Sequence, residues 1–348
     1  MNASPVPTFG QLPDKLRSLL LERGVAADAP IIPLKDGGNN QVCRLAGGKQ
    51  DYVLKRYFQH PTDTRDRFTA ERVFYKLLWN GGLRQIPEPC GWDAEHRLGL
   101  FAFVPGRKLN PAEVTSEAVK QATEFVNQIN GLREHPAAQE VSAASEAYFS
   151  VTEQVDSIAR RVAAIQQIEP QSEMDIRAVA FARDELLPAW RETADAISRR
   201  AHADRDLNKR LGVAERCLSP SDFGFHNALL AEDSRLHFID FEYAGWDDPA
   251  KLACDFFCQP QVPVGFEFWD LFMNSFAAGP DGGNGFPSRA RLLLPAYQIK
   301  WCCIMLNHFV KAGKARREFA RGVASEEAKA MQLEKARRLL QDIHKLRD

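Results

Sequence analysis

An α+β fold in two lobes is predicted by where strand and helix signals fall: a small N-terminal antiparallel sheet with one main helix over residues 1–104, then a larger, mainly helical lobe over residues 105–348. Three observations carry this. The chain has 348 residues, more than one hydrophobic core usually supports. Strand-like alternation punctuated by turn residues is crowded into the first hundred positions. From Pro111 to about Arg216 helical periodicity replaces it, and strands return only as one short hairpin.

Taken in order, residues 1–17 carry Pro5, Pro7 and Pro13 but no basic start followed by an apolar run. They do not read as a secretory signal, and the cytoplasm is the expected location. A helix over 12–23 precedes strands at 31–34, 41–45 and 52–57, separated by Asp36-Gly37-Gly38-Asn39-Asn40 and Gly47-Gly48. Over 63–79, Phe68, Val73, Phe74, Leu77 and Leu78 recur at amphipathic helical spacing, and Gly81-Gly82 ends the run. A buried strand at 98–104 stops at Pro105-Gly106, the expected hinge.

Long helices are then predicted over 116–132, 147–167 and 175–203, and the hairpin pairs 228–230 with 236–239 around Ala231-Glu232-Asp233-Ser234. Residues 279–285 lack a preceding strand and a following Lys-Ser or Lys-Thr, so they read as a surface loop rather than a phosphate cradle. The tail, with Ala330, Leu333, Ala336, Leu339, Leu340 and Ile343 on one face, reads as a packing helix with a solvated basic side.

Composition narrows the partners. Net charge is −1, which offers no general attraction to nucleic acid or anionic lipid, and no apolar run is long enough to span a bilayer. The seven scattered cysteines are expected to be free, mostly buried thiols; Cys254 and Cys258 lack companion ligands for a metal–thiolate site. A small molecule is the expected partner, and oligomeric state is left open.

The chemistry concentrates between Leu218 and Asp248. Transfer of a terminal phosphoryl group requires an aligned hydroxyl, a carboxylate to take its proton, and neutralised phosphate oxygens. Asp222, in a loop before a short strand, suits the base. Asn227 and Asp240 lie at the two ends of the hairpin and suit a shared Mg2+, one as a neutral and one as a charged oxygen donor. Singly, each is an ordinary turn former. Jointly with Lys55 they point to nucleotide chemistry. Lys55 falls within an apolar strand, where a buried ammonium needs Glu71 or a nucleotide phosphate; the competing reading places it on the exposed face of an edge strand. Gly37, Gly38, Asn39 and Asn40 form either a phosphate-contacting turn or an empty hairpin tip. His226 abuts Asn227 and is a candidate to contact substrate or loop backbone. Glu242 and Asp247 are either acceptor-binding acids or solvated loop charges.

In order and spacing, the Gly-Gly-Asn-Asn turn, Val-Leu-Lys at Lys55, the Glu71 helix, Phe-Val-Pro-Gly, Asp222 to Asn227, Ile-Asp-Phe-Glu at Asp240 and Asp248-Pro249-Ala250 resemble the aminoglycoside phosphotransferase and choline kinase-like family, which has a bilobal protein-kinase-like fold. The resemblance implies that Lys55 contacts phosphates with Glu71 as its helix partner, that Asp222 is the base, that Asn227 and Asp240 ligate Mg2+, and that Asp248 is structural. It implies an ATP- or GTP-dependent kinase acting on a hydroxyl of a small sugar, amino alcohol or glycoside. One departure stands out: Pro220-Ser221-Asp222 replaces the family's usual His-Gly-Asp. Pro220 removes a backbone donor, and Ser221 lacks glycine's easy access to positive φ. Either Ser219, Ser221 or His226 holds the loop, or activity is reduced. The alternative function is a nucleotide-binding pseudokinase acting as sensor or scaffold.

Overall fold

The computed structural model describes residues 8–34, 40–59, 63, 65–276, 285–310 and 325–345. Helix α1 (Asp14–Glu22) is followed by β1 (Ile31–Leu34), β2 (Gln41–Leu45), β3 (Tyr52–Arg56), α2 (Arg67–Asn80), β4 (Pro89–Asp93) and β5 (Leu98–Ala102). The five strands form one antiparallel sheet in the order β1-β2-β3-β5-β4. Strand β4 is an element that sequence periodicity missed, because Pro89 and Gly91 mask it and a bulge breaks its register.

The two faces of this sheet have different covers. Tyr52, Leu54, Leu98 and Leu100 pack with Phe9, Leu16 and Leu20 around α1. The alternating β3 residues Val53 and Lys55 point the other way, and Val53 joins the core that contains α2. Strand β3 lies between β2 and β5, with Lys55 opposite Val42 and Gly99, so the edge-strand reading of Lys55 is overturned. The Asp66 side chain accepts from Thr69 N and starts α2 cleanly.

The remainder is mainly helical, as expected: α3 (Ser116–Asn130), α4 (Val151–Ile165), α5 (Glu173–Phe181), α6 (Leu187–Ala203), α7 (Arg205–Asn208), α8 (Pro249–Cys258), α9 (Trp269–Ser275), α10 (Phe286–Leu306) and α11 (Glu326–Lys345). Two small antiparallel pairs interrupt it. The anticipated hairpin joins β7 (Ala228–Leu230) to β8 (Leu236–Phe238), and an unanticipated pair joins β6 (Cys217–Ser219) to β9 (Gly245–Asp247). The β7–β8 pair is marked by the turn between its strands, whereas β6 and β9 are far apart in sequence and have no such local signal. The tail helix buries Leu333, Ala336, Leu340 and Ile343, the face its spacing marked.

Aromatic rings join the sheet to the helices. Tyr75 of α2 meets Phe241 at 5.1 Å between centroids, Phe241 meets Phe125 of α3 at 6.2 Å, and Phe125 stacks on Phe238 at 4.2 Å. Phe223, beside Asp222, continues the column to Phe256 of α8 at 5.1 Å. All seven cysteines are free thiols, and all but Cys90 are buried. No helix among the described residues is long and apolar enough to cross a membrane.

Candidate active site

Lys55 Nζ donates to Glu71 Oε2 at 2.6 Å and to Asp240 Oδ1 at 2.6 Å. One ammonium therefore ties the central strand of the sheet to α2 and to the segment after β8. The Lys55 and Glu71 side chains are 8% and 1% exposed, whereas Asp240 is 33% exposed and opens to solvent. Burial works against the Lys55 charge, but Asp240 and Glu71 outweigh it and raise its pKa well above the ordinary value. The Tyr57 ring, 5.1 Å from Nζ, adds a further favourable contact. Arg65 and Arg67, close to Glu71 in sequence, bond Asp63. Glu71 Oε1 instead accepts from Phe241 N at 2.9 Å, fixing the backbone next to Asp240.

The catalytic-loop candidate begins where Asn130 of α3 clamps Leu218, accepting from Leu218 N at 2.9 Å and donating to its carbonyl at 3.0 Å. Asp222 N then donates to Pro220 O at 3.0 Å, closing a three-residue turn around Ser221, whose φ is +66°. Serine thus occupies the positive-φ region it was expected to avoid. Such a turn at a non-glycine residue costs about 1–3 kcal/mol and persists only where surrounding contacts fix it. Those contacts exist: Ser219 Oγ accepts from Ser221 N at 2.9 Å, Ser221 Oγ donates to Ser145 O at 3.4 Å, and Lys251 Nζ donates to Ser221 Oγ at 3.0 Å.

Beyond the turn, His226 Nε2 lies 3.2 Å from Asp222 Oδ1, where a carboxylate can only accept. Burial opposes ionisation of Asp222, yet His226 and the Asn227 amide hold its carboxyl below the ordinary value, so it is a carboxylate at neutral pH. Lys108, just past Pro105-Gly106, donates to His226 O at 2.6 Å. Gly224 is required locally, because a Cβ there would lie 2.8 Å from His226 Nδ1.

Asn227 and Asp240 flank the β7–β8 hairpin, in which Ala228 pairs with Phe238 and Ile239 N donates to Asn227 O at 2.9 Å. The Asn227 amide nitrogen donates to Asp222 O at 2.9 Å, which directs its oxygen away from the loop. With Asp240 Oδ1 taken by Lys55, Oδ2 remains. An amide oxygen and a partly exposed carboxylate fit a Mg2+ completed by phosphate oxygens and water. No cluster of three or more His, Cys, Asp or Glu with metal-ligand geometry occurs among the described residues, so the donor set does not fit a cage built from protein alone.

Of the glycine turn, Gly37, Gly38 and Asn39 lie outside the described residues. Asn40 is buried; its Nδ2 donates to Glu242 Oε2 and its Oδ1 accepts from Phe58 N at 3.1 Å. Its side chain thereby links the end of the turn to the segment following Asp240. Glu242 and Asp247 are 2% and 0% exposed, which overturns the solvated-loop reading. Arg67 faces Glu242 at 3.7 Å, and Lys251 bonds Asp247 at 2.6 Å, so neither acid is left over to hold a cationic acceptor. Burial, reinforced by Asp240, pushes the Glu242 carboxyl up to about 7. Asp248 is structural, as expected: it caps α8 by accepting from Ala250 N at 2.8 Å and binds Arg289 at 2.8 Å and Gln154 at 2.7 Å.

Lys251 and Lys108 were not among the residues marked by sequence, whereas His226 was a candidate for contact with substrate or loop backbone. A signal for Lys251 was present in the i, i+4 spacing of Asp247, Lys251 and Asp255 within an otherwise apolar run.

A lysine–glutamate pair at a five-stranded sheet, bonded to Asp240 at one end of a hairpin whose other end carries Asn227 and follows the Asp222 loop, is the architecture of kinase-like phosphotransferases. A profile of the phosphotransferase enzyme family matches residues 30–292. The chain belongs to that family and is a small-molecule kinase. No significant match to a curated protein was found. Similar solved structures include spectinomycin phosphotransferase APH(9)-Ia with ADP and spectinomycin, at TM-score 0.59 and 11% identity over 99% of each chain. Choline kinase LicA from Streptococcus pneumoniae aligns at TM-score 0.57 and 13% identity, over 94% of this chain and 98% of that one. Plasmodium vivax ethanolamine kinase aligns at TM-score 0.55 and 12% identity, over 90% and 83%. At such identities these likenesses speak to the fold, which is the bilobal α+β fold expected from the sequence.

Proposed function

We propose that this protein transfers the γ-phosphoryl group of ATP or GTP to a hydroxyl of a small polar metabolite, a sugar, amino alcohol or glycoside, in the cytoplasm, where such nucleotides are the common phosphoryl donors. The observation that carries the proposal is the Lys55 ammonium at 2.6 Å from both Glu71 and Asp240, which ties the sheet to the hairpin that follows the Asp222 loop. In this reading residues 1–104 hold the nucleotide and residues 105–348 supply catalysis and the acceptor site. Lys55 binds phosphate oxygens, Glu71 keeps it aimed, and Gly37, Gly38, Asn39 and Asn40 are the proposed backbone contacts to the phosphates. Asn227 and Asp240 would hold Mg2+, which when bound neutralises phosphate charge.

Asp222 performs the proton step. The acceptor oxygen bonds to the γ-phosphorus, the bond to the β–γ bridging oxygen breaks, the nucleoside diphosphate leaves, and the acceptor proton passes to the Asp222 carboxylate. His226 occupies Oδ1, which leaves Oδ2 for the acceptor hydroxyl. The contacts that fix the Ser221 turn favour an active enzyme over a pseudokinase scaffold, since they hold Asp222 despite the altered loop.

The test is to incubate the protein with Mg–ATP or Mg–GTP and a panel of sugars and amino alcohols, following nucleotide consumption, beside an Asp222→Asn variant. Acceptor-dependent turnover that falls about 10²- to 10⁴-fold in the variant is expected. Turnover unchanged in the variant would remove Asp222 from its role, and nucleotide binding without turnover on any acceptor would favour a sensor or scaffold.

A further inference from the structure

We propose that Lys251 is a positioning residue for Asp222, acting through the hydroxyl of Ser221 in the loop where Pro220-Ser221 replaces the resembling family's histidine–glycine pair. The role rests on the phosphotransfer reading above. Three features converge on it. First, Ser221 at φ +66° is the centre of a tight turn immediately before Asp222, so any relaxation of that turn re-aims the carboxylate. Second, the hydroxyl of Ser221 receives Lys251 Nζ at 3.0 Å. Third, Lys251 cannot swing away: it is 2% exposed, bonds Asp247 Oδ2 at 2.6 Å and faces Asp255 at 3.6 Å.

The anchor behind Lys251 is rigid. Helix α8 begins at Pro249 with Asp248 as its cap, and Arg289 of α10 ties that cap to the carbonyls of Leu207 and Phe149, each at 3.0 Å. Asp255, one turn beyond Lys251, is fixed by Lys300 at 2.9 Å and by Trp301 Nε1 at 2.8 Å. A charge-assisted hydrogen bond from so constrained a donor fixes both the place and the rotamer of Ser221. Removing it lets the turn sample other conformations, and displacement of a catalytic group by about 1 Å costs on the order of 10²-fold in rate.

Ser221→Ala removes the hydroxyl and with it the bonds to Lys251 and to Ser145 O, while alanine carries the same left-handed backbone penalty as serine and the Lys251–Asp247 pair is retained. Two quantities are measured in the full chain: kcat against the affinity for Mg–ATP, and amide hydrogen exchange of residues 222–227 by mass spectrometry. The expected result is a kcat lower by about ten- to a hundredfold, Mg–ATP affinity within about twofold, and faster exchange confined to the loop while α10 stays protected. Ser221→Asn, which tolerates positive φ and offers an oxygen to Lys251, is expected to restore most of the loss. In Lys251→Met, adding Ser221→Ala should lower kcat by much less than it does in the wild type, since the Lys251–Ser221 link is already cut. Unchanged loop exchange in Ser221→Ala, or faster exchange with unchanged kcat, overturns the proposal. Absence of acceptor turnover in the wild type would fail the phosphotransfer reading instead, and loop exchange alone would then decide whether Lys251 braces the turn.

Discussion

Replacing Lys55 by methionine tests the central ion pair, and the magnitude follows from burial on its two sides. Asp240, at 33% exposure, can turn toward water when the ammonium is gone; Glu71, at 1%, cannot. The loss therefore falls on Glu71, and removing one partner of a buried pair costs about 3–5 kcal/mol. In a Lys55→Met/Glu71→Gln double variant the buried group is neutral and still accepts from Phe241 N, so the deficit should shrink to about 1–2 kcal/mol. The pH dependence has a definite sign. Burial already pushes the Glu71 carboxyl above its ordinary value of 4.5, and without Lys55 it rises further. A carboxyl raised in the folded state favours folding below its unfolded value and opposes it as pH rises through the folded one. The single variant should therefore lie closest to wild type in acid and furthest from it at neutral pH. Urea unfolding followed by circular dichroism at pH 5 and pH 7.5 measures this. A single variant as stable as wild type, or a double variant no better than the single, would refute the reasoning.

Two further outcomes are expected. Burial holds the Asp247 carboxyl at about 6 against an ordinary 3.8, so its contribution to stability is full below about pH 3.8 and lost as pH rises through 6, a change of about 3 kcal/mol; Asp247→Asn should flatten that part of the stability–pH curve, and an unaltered slope would exclude Asp247 as the titrating group. Gly245→Ala places a Cβ inside the backbone of Ser142, Ala143 and Ala144, so β9 must separate from that segment. A loss of about 1–3 kcal/mol in urea unfolding is expected, and a neutral effect would mean that the segment yields freely.

Legibility from sequence varied with element length and with how local each determinant is. The helices at Ser116–Asn130 and Val151–Ile165 announced themselves through periodicity and, in the structure, begin at side-chain caps on Thr115 and Ser150. Strands β6 and β9 did not, since their pairing of Leu218 with Trp246 is a contact across 28 positions with no turn to mark it, unlike the equally short β7 and β8. Lys55 was legible as a buried charge because apolar neighbours surrounded it. The buried state of Asp247 and Glu242 was not, since their sequence neighbours, Asp240, Tyr243, Trp246 and Asp248, suit a loop equally well.

The sequence by itself determined the two-lobed plan, the reaction class suggested by Lys55, Asp222, Asn227 and Asp240, and the point of departure at Pro220-Ser221. These rest on local propensity and on residue types at fixed spacings, which a one-dimensional string preserves. Only the tertiary structure decided that Lys55 joins Glu71 and Asp240 at one nitrogen, that Asn40 joins Glu242, and that Lys251 reaches Ser221 from a helix that follows it by thirty positions. Those contacts depend on which faces are buried against one another. A serine held at positive φ is stable only when distant groups supply the bonds that offset its strain, and those groups converge only after the chain has packed.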